Sequence, residues 1–238
     1  MHTVSAIFNR EIRGTFGSAS AYVVLGVFMG LLSVVTLFFD DVLQDEVASM
    51  QATFEWIGLC FLFLVPAVTM RTLAEERRSG SLEILSTLPV TPAQIVLGKW
   101  LAATFLIATA LALTITWPLA ISQYGQLDWG PVLGGYLGLL LMGGAFAAIG
   151  TAASALTDSQ IFAFLGAFVV CLVPFMTGTF LASVPGDLVP LVQYLTFDYH
   201  FANLARGVID SRSLVFYGGV IAVGLRVAVL ALEQRRLA

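Results

Sequence analysis

The sequence predicts an all-α integral membrane protein whose transmembrane domain is a bundle of six helices. Hydrophobic residues make up 58% of the 238 residues and charged residues only 11%, which is more apolar surface than a water-soluble core of this size buries. The apolar runs are continuous, without the alternation of β-barrel strands, and they approach the roughly 20 residues that a helix needs to cross a bilayer. The predicted spans are residues 21–39, 54–70, 100–121, 132–156, 161–184 and 214–232.

Residues 1–20 form a separate N-terminal segment ahead of the transmembrane domain, which covers residues 21–238. Two basic residues, Arg10 and Arg13, lie in this segment. Its apolar residues recur at helical spacing, at Val4, Ile7, Phe8, Ile12 and Phe16. This pattern predicts an amphipathic helix that lies in the membrane interface. The alternative is a charged flank that only orients the first span.

The loop between the second and third spans, residues 71–99, combines a charged run with the signals of a short helix. The run consists of Glu75, Glu76, Arg77 and Arg78. Apolar residues follow at Leu82, Ile84, Leu85 and Leu88. They predict a short helix over Gly80–Leu88, which ends there because Pro89 disfavours helix at the residue before it.

A second helix is predicted to begin directly after this loop helix. Thr91, Pro92 and Gln94 have the spacing of a capping box, with a threonine cap, proline at the first helical position and glutamine three residues after the cap. The short helix would then lie across the loop, where a protein outside the membrane could bind it. The alternative for the charged run is a solvated face that only sets the membrane topology.

Basic residues are distributed unevenly between the two sides of the predicted bundle. With both termini in the cytoplasm, nine of the eleven basic residues lie on the cytoplasmic side, and Arg206 and Arg212 lie outside. The loop at residues 40–53 contains acidic residues and no basic one, as expected of an outer loop. The charged loop at residues 71–99 therefore faces the cytoplasm in this prediction.

The fourth predicted span, residues 132–156, is unusually rich in small residues. In a membrane, small residues let helix backbones approach closely. The span is therefore expected in the middle of the bundle or at a seam between subunits, and the sequence leaves both open. Its glycines are Gly134, Gly135, Gly138, Gly143, Gly144 and Gly150.

The outer-face segment, residues 185–213, is too polar to span a membrane but is rich in aromatic residues. One or two short helices at the outer membrane interface are predicted, since aromatic side chains favour that boundary. Asp198 is a candidate cap for a helix that ends at Gly207. The alternative is a flexible external loop. The candidate functional residues of the segment are His200, Phe201, Arg206 and Asp210.

Two parts of the chain resemble a known family. Residues 75–90, followed by 95–99, are similar to the loop between the second and third spans of ABC type-2 permeases, the membrane subunits of ATP-driven exporters. Residues 199–201, 206–210 and 232–236 resemble the C-terminal part of the gliding-motility permease GldF and the copper-site maturation permease NosY. The similarity extends over almost the whole chain.

The resemblance implies the ABC type-2 exporter permease fold, with six spans, an N-terminal interfacial helix, a cytoplasmic coupling helix and short outer-face helices. In such exporters the coupling helix docks in a groove of the ATPase, and the interfacial helix braces the contact. The coupling helix would be Gly80–Leu88, with Leu82 and Leu85 as apolar anchors. The implied coupling residues are Glu75, Glu76, Arg77 and Arg78 at the charged rim, and Ser81, Leu82, Glu83 and Leu85 in the helix.

Partners and location follow from the same resemblance. An ABC ATPase subunit would bind ATP and Mg²⁺, whereas this chain would hold no cofactor. A second permease copy, identical or different, would complete the pathway, and an extracytoplasmic accessory protein is a further expected partner. We expect a prokaryotic inner or plasma membrane protein with both termini in the cytoplasm, in contact with membrane lipid and not with nucleic acid.

The residues themselves predict no catalysis. The phosphate-binding pattern Gly-x-x-x-x-Gly-Lys-Ser/Thr is missing, because the one Gly-Lys pair, Gly98 and Lys99, is followed by Trp100. His2 and His200 lie outside the predicted spans, and no histidine, cysteine or carboxylate group has metal-ligand spacing. We therefore expect a transport subunit that is not an enzyme and has no metal site. The alternative function is an ATP-independent carrier or channel, which a shortage of ionisable residues deep in the spans disfavours.

Overall fold

The computed structural model describes residues 2–39, 50–80, 90–123, 127–178, 189–208 and 210–236, and over this part of the chain all regular structure is helical. The prediction of an all-α protein is thus confirmed for these residues. In chain order the helices are α1 (His2–Phe16), α2 (Ala19–Phe39), α3 (Gln51–Thr69), α4 (Ala74–Arg78), α5 (Pro92–Thr114), α6 (Thr116–Ile121), α7 (Trp129–Leu156), α8 (Gln160–Met176), α9 (Val189–Tyr194), α10 (Phe197–Ala205) and α11 (Ser211–Arg236).

Five helical segments among the described residues are long and apolar enough to cross a membrane. They correspond to five of the six predicted spans. The remaining one, predicted at residues 161–184, contains the apolar helix α8, which has only 17 residues. Residues 179–184 lie outside the described part of the chain, so the six-span arrangement stays a prediction. The five segments are Ala19–Thr36, Gln51–Arg78, Pro92–Ile121, Trp129–Leu156 and Ser211–Gln234.

Helix α7 is the centre of the bundle and packs against α3, α5, α8, α10 and α11. Its glycines make this packing possible. A Cβ atom at Gly134 would lie 2.1 Å from the carbonyl oxygen of Leu204 on α10, and one at Gly150 would lie 1.9 Å from Thr69 Oγ1 on α3. Only a glycine permits such close approach of two helices. Of the two positions that the sequence left open for this segment, α7 occupies the middle of the described bundle, and these two glycines serve packing within the chain.

The bundle has two ends that differ in chemistry. At one end, which we call the α4 end, an apolar cluster joins α1, the start of α5 and the last turns of α7 and α11 through Ile7, Leu73, Ile95, Ala155 and Ala228. The N-terminal helix and the last turns of α11 therefore lie at the same end of the bundle. The opposite end carries α10, and we call it the α10 end.

Helix α8 connects these two ends although it is short. Just before its first residue, Asp158 forms a salt bridge with Arg77, which belongs to the α4 end. Just after its last residue, Gly178 lies at the α10 end, where a Cβ atom would be 3.3 Å from Asp198 Oδ2. Helix α8 thus runs the length of the bundle.

The start of α10 corrects one expectation. The cap is Thr196, whose Oγ1 accepts a hydrogen bond from the amide of Tyr199 at 3.4 Å, and Asp198 lies in the first turn instead. Thr196 has the extended backbone and the three-residue spacing that a cap requires, and Asp198 is already inside the helix. The predicted stop is correct, because Gly207 follows α10 with a φ of 80°.

Replacing Gly150 by alanine should destabilise the protein, even though alanine is the better helix former. The new methyl group would overlap the buried Thr69 side chain, and overpacking of this kind costs about 1–3 kcal/mol, more than the roughly 1 kcal/mol that alanine gains in helix propensity. Thermal unfolding of the purified chain in detergent measures the effect.

The control is Gly26→Ala in α2, where no atom of the described residues beyond the neighbouring helix backbone lies within 4 Å of the new Cβ. This variant should be as stable as the wild type or slightly more stable. Equal thermal midpoints for the two variants would contradict the close packing of α7 on α3.

Candidate functional site

The short helix α4 is anchored to the central helix by one hydroxyl group. Ser154 Oγ, on α7, accepts hydrogen bonds from the amides of Leu73 and Ala74 at 3.0 and 2.9 Å and donates one to the carbonyl of Met70 at 3.0 Å. The first amides of a helix lack partners within the helix, and the residue at the cap position, Leu73, has no polar side chain to supply one. Ser154 therefore caps α4 from about 80 residues away in sequence.

Four charged side chains form a cluster between α1, α4 and α5, which we call the four-charge cluster. The ammonium of Lys99 on α5 lies 2.9 Å from Glu76 Oε1 on α4 and 3.2 Å from Glu11 Oε1 on α1. Arg10 Nη2 lies 3.1 Å from the same Glu76 oxygen and 2.8 Å from the same Glu11 oxygen. Two cations and two carboxylates therefore alternate, and their formal charges cancel.

Burial makes this pairing necessary. The side chain of Lys99 is only 1% exposed, and an unpaired charge in such a place would cost several kcal/mol. Burial raises the pKa of Glu11, but the charges of Lys99 and Arg10 and their hydrogen bonds outweigh it, so the pKa lies below its usual range. The hydrogen bond to Glu11 raises the pKa of Arg10 against the opposing effect of burial. Both groups are thus held in their charged forms.

A second ion pair fastens α4 to the connection between α7 and α8. Arg77 Nε lies 2.8 Å from Asp158 Oδ1. Arg77 Nη1 donates a hydrogen bond to the carbonyl of Ala155. The Arg77 side chain is 6% exposed, whereas Asp158 is largely in solvent. Arg77 therefore links α4 to the last turn of α7 and to the residue that precedes α8.

The charged run predicted from sequence divides into two pairs. Glu76 and Arg77 turn into the bundle, as described above, whereas Glu75 and Arg78 are exposed on the outer side of α4. Gly80 follows with a φ of 72°, a backbone conformation in which glycine is favoured, and there the described stretch ends. The other predicted coupling residues, Ser81, Leu82, Glu83 and Leu85, lie outside the described residues.

The start of α5 has the predicted cap. The Thr91 hydroxyl accepts from the amide of Gln94 at 3.4 Å, the Gln94 side chain accepts from the amide of Thr91 at 3.2 Å, and Pro92 is the first helical residue. Two turns later Gly98 gives α1 room to pack, since a Cβ atom there would lie 2.7 Å from Ile7 Cγ2. The cap and the glycine together bring Lys99 next to α1.

The two predicted residues of the N-terminal helix have different environments. Arg10 is part of the four-charge cluster, and Arg13 is exposed. Sequence reasoning missed Glu11, Lys99 and Ser154 as members of this site. Lys99 could have been identified from the sequence, because it is the only lysine of the chain and stands at the start of an apolar run, where a buried charge needs a partner of opposite charge.

The four candidate residues of the outer-face segment do not converge on one point. Phe201 packs against α7, where it lies beside Gly138, and Arg206 is exposed after the end of α10. The Asp210 carboxylate accepts a hydrogen bond from the amide of Arg212 at 2.9 Å at the start of α11. Phe201 and Asp210 thus support the local structure, and the four residues form no catalytic pair of an acid and a nucleophile.

His200 is buried in a cage of aromatic rings. Its ring stacks on Phe216 with centroids 4.1 Å apart, and Tyr194 meets it edge to face at 5.0 Å. Its Nε2 lies 2.9 Å from the carbonyl of Tyr194, so this nitrogen donates, and Nδ1 accepts from the Ser213 hydroxyl at 3.1 Å. Burial lowers the pKa of His200, although the bond to Tyr194 and the charge of Asp210 oppose the shift. The neutral ring is the stable form here.

Comparison with known protein families gives a match over most of the chain. The model of a family described as "ABC-2 family transporter protein" matches residues 43–232, which is most of the chain. Among curated proteins none matches.

Replacing Lys99 by methionine should destabilise the α4 end. The methionine keeps the length of the side chain but leaves Glu11 and Glu76 facing each other with only Arg10 between them, and breaking a buried pair costs about 3 kcal/mol. We expect a clearly lower thermal midpoint in detergent. Arg13→Gln, which removes an exposed positive charge from α1, serves as the control and should leave the midpoint unchanged. Equal stability of the two variants would show that the four-charge cluster contributes nothing.

Stability should fall at mildly acid pH because of His200. Its pKa in the folded chain is lower than in the unfolded chain, so the unfolded chain binds the extra proton first as the pH falls. The contribution of the neutral ring is complete above about pH 6.5 and is lost progressively below it. Thermal midpoints between pH 7.5 and 5 should decline more steeply for the wild type than for His200→Gln. Parallel curves for the two proteins would contradict this assignment.

Proposed function

The chain belongs to the ABC-2 family of transporter proteins, and from this premise we propose that its α4 end couples ATP hydrolysis by a partner ATPase to movement of the transmembrane bundle. Membership makes the chain an integral membrane protein and the permease subunit of an ABC transporter, a subunit that is not itself catalytic. The family also implies an ATPase as partner. It favours an ATP-driven mechanism over an ATP-independent carrier or channel.

The observation that carries the proposal is the attachment of α4. A loop that only joined two spans would need no contacts with the rest of the bundle, whereas α4 is held by Ser154, by the four-charge cluster and by the Arg77–Asp158 pair. A displacement of α4 would therefore be passed to α1, α5 and α7 together. The exposed Glu75 and Arg78 remain available for contacts with a partner.

The coupling helix itself is proposed at Gly80–Leu88, directly after α4. Leu82 and Leu85 would be apolar anchors in a groove of the ATPase, with Ser81 and Glu83 as polar contacts. Glu75 and Arg78 would stand at the rim of that contact. Glu76 and Arg77 are not proposed as contacts with the ATPase, because their side chains form the ion pairs that attach α4 to the bundle. ATP and Mg²⁺ would be bound by the ATPase.

We further propose six membrane crossings with α8 as the fifth. A helix of 17 residues is about 25 Å long, near the lower limit for a transmembrane helix. Its contacts with Arg77 before its start and with Asp198 after its end support a crossing. An even number of crossings agrees with the position of α1 and the last turns of α11 at the same end, and the basic residues favour the cytoplasm for that end.

The assembly proposed here contains two permease copies, identical or different, and an ATPase on the cytoplasmic side of a prokaryotic inner or plasma membrane. A relationship with the GldF and NosY permeases, and an extracytoplasmic accessory protein, belong to the same proposal. Purification of the tagged chain from its native membranes, followed by mass spectrometry, identifies these partners together.

The coupling helix is tested by a double substitution, Glu83→Lys with Leu85→Glu, in the complex with its copurified ATPase. We expect normal membrane insertion and an unchanged thermal midpoint, because neither residue is assigned to the bundle. The stimulation of ATP hydrolysis by the permease should fall at least about tenfold, which corresponds to about 1.4 kcal/mol of activation free energy.

Asp128→Asn provides the matched control. It removes a charge at the opposite end of the bundle and keeps the cap of α7, since asparagine accepts the same hydrogen bond from the amide of Gly130. Its complex should hydrolyse ATP like the wild type. Undiminished stimulation by the Glu83 and Leu85 double variant would place the coupling contact elsewhere.

A further inference from the structure

A cavity of about 240 Å³ lies at the α10 end, on the opposite side of the bundle from the four-charge cluster. It is half open and is lined by the first turns of α3, the middle of α7, the last turns of α8 and the first turns of α10. The side chains that decide its chemistry are Glu55, Trp56, Met142, Phe175, Asp198 and Phe201.

The walls of the cavity are mainly apolar and aromatic. Trp56, Phe175 and Phe201 contribute three rings from three different helices. Gly58 keeps one wall open, because a Cβ atom there would lie 3.1 Å from Met142 Cε and 3.7 Å from the Phe175 ring. A concave, largely apolar cavity with a few polar groups is the usual form of a small-molecule site.

The charged side chains that line the described cavity are two carboxylates, Glu55 on α3 and Asp198 on α10. Among the described residues no lysine, arginine or histidine lines the cavity, and none forms a salt bridge with either carboxylate. Both acidic residues are exposed, and partial burial raises the pKa of Asp198. A cation in the cavity would meet two acidic side chains and, among the described residues, no basic one.

We propose that this cavity binds an organic cation with an apolar body, such as an ammonium group attached to an aromatic or branched hydrocarbon, and that such cations are a substrate class of the transporter. The carboxylates would neutralise the positive charge of the ligand. The rings of Trp56, Phe175 and Phe201 would attract the cationic group by cation–π interaction and would pack against the apolar body. The assignment as a transported substrate rests on the proposed function, whereas the binding site itself rests on the cavity.

A metal ion fits this cavity less well than an organic cation. Hard cations such as Ca²⁺ and Mg²⁺ require six or more oxygen ligands, and the described part of the chain has no group of three or more acidic, histidine or cysteine side chains that could hold a metal. An anion is disfavoured because the charged side chains that line the cavity are both acidic. Charge and apolar walls together select an organic cation.

The test is equilibrium dialysis of radiolabelled benzyltrimethylammonium against the full chain in nanodiscs of neutral phosphatidylcholine, without nucleotide. This probe carries a permanent positive charge and an aromatic body. Labelled benzenesulfonate, of similar size and opposite charge, is the control ligand. We expect saturable binding of one cation per chain and no saturable binding of the anion.

The variants Glu55→Gln and Asp198→Asn keep the shape of each side chain and remove its charge. Each should weaken cation binding about threefold to fivefold, and the double variant should weaken it by roughly the product of the two effects. Asp128→Asn removes a carboxylate outside the cavity at the same end and should bind like the wild type. Because Asp198 stands in the first turn of α10, its variants are first checked for an unchanged thermal midpoint.

Absence of saturable cation binding by the wild type, or equal affinity of the wild type and the double variant, would overturn the proposal. These results would leave the coupling of the α4 end untouched, because dialysis requires neither ATP nor a partner. Conversely, the Glu83 and Leu85 double variant should bind the cation like the wild type, even if it no longer stimulates the ATPase. If the double variant is less stable than the wild type, the single Glu55→Gln variant decides the outcome.

Discussion

The arrangement of the α4 end depends on the need to pair one buried lysine. Lys99 follows a capped helix start and a close contact between α1 and α5, so its ammonium is almost completely removed from solvent. Glu11 from the N-terminal helix and Glu76 from α4 both reach it, and Arg10 balances the two carboxylates. Three segments that are far apart in sequence are thereby fixed to one point. The helix α4 is thus part of the bundle.

This attachment explains how one end of the bundle could act on the other. The cavity begins on α3 at Glu55, and the helix ends at Thr69, so roughly 21 Å of helix separate this part of the cavity from the connection to α4. The central helix α7 makes the connection, because Ser154 near its end caps α4 and Met142 near its middle lines the cavity. Its glycines bring α3 and α10 into direct contact with it, and such close packing transmits displacement with little loss.

Much of this fold was predictable from sequence, because its signals are local. The apolar runs, the capping box at Thr91 and the glycines of α7 each act through neighbouring residues or through one repeated chemical property. The directions of Glu76 and Arg77 were not predictable, since a helix of five residues has no periodicity to show its buried face. Ser154 supplies a cap from another helix, which only tertiary structure reveals. The sequence predicted Asp198 as the cap of α10, whereas the backbone conformation places Thr196 at that position.

The central claim, that α4 moves as part of the bundle, is tested most directly by hydrogen–deuterium exchange of the full chain in nanodiscs. If α4 is held in this way, the amides of Leu73, Ala74 and Arg77 should exchange slowly in the wild type, since each donates a hydrogen bond in the structure. In the Lys99→Met protein this protection should be lost in α4 and reduced in α1 at the same time. Rapid exchange of these α4 amides in the wild type would contradict the account.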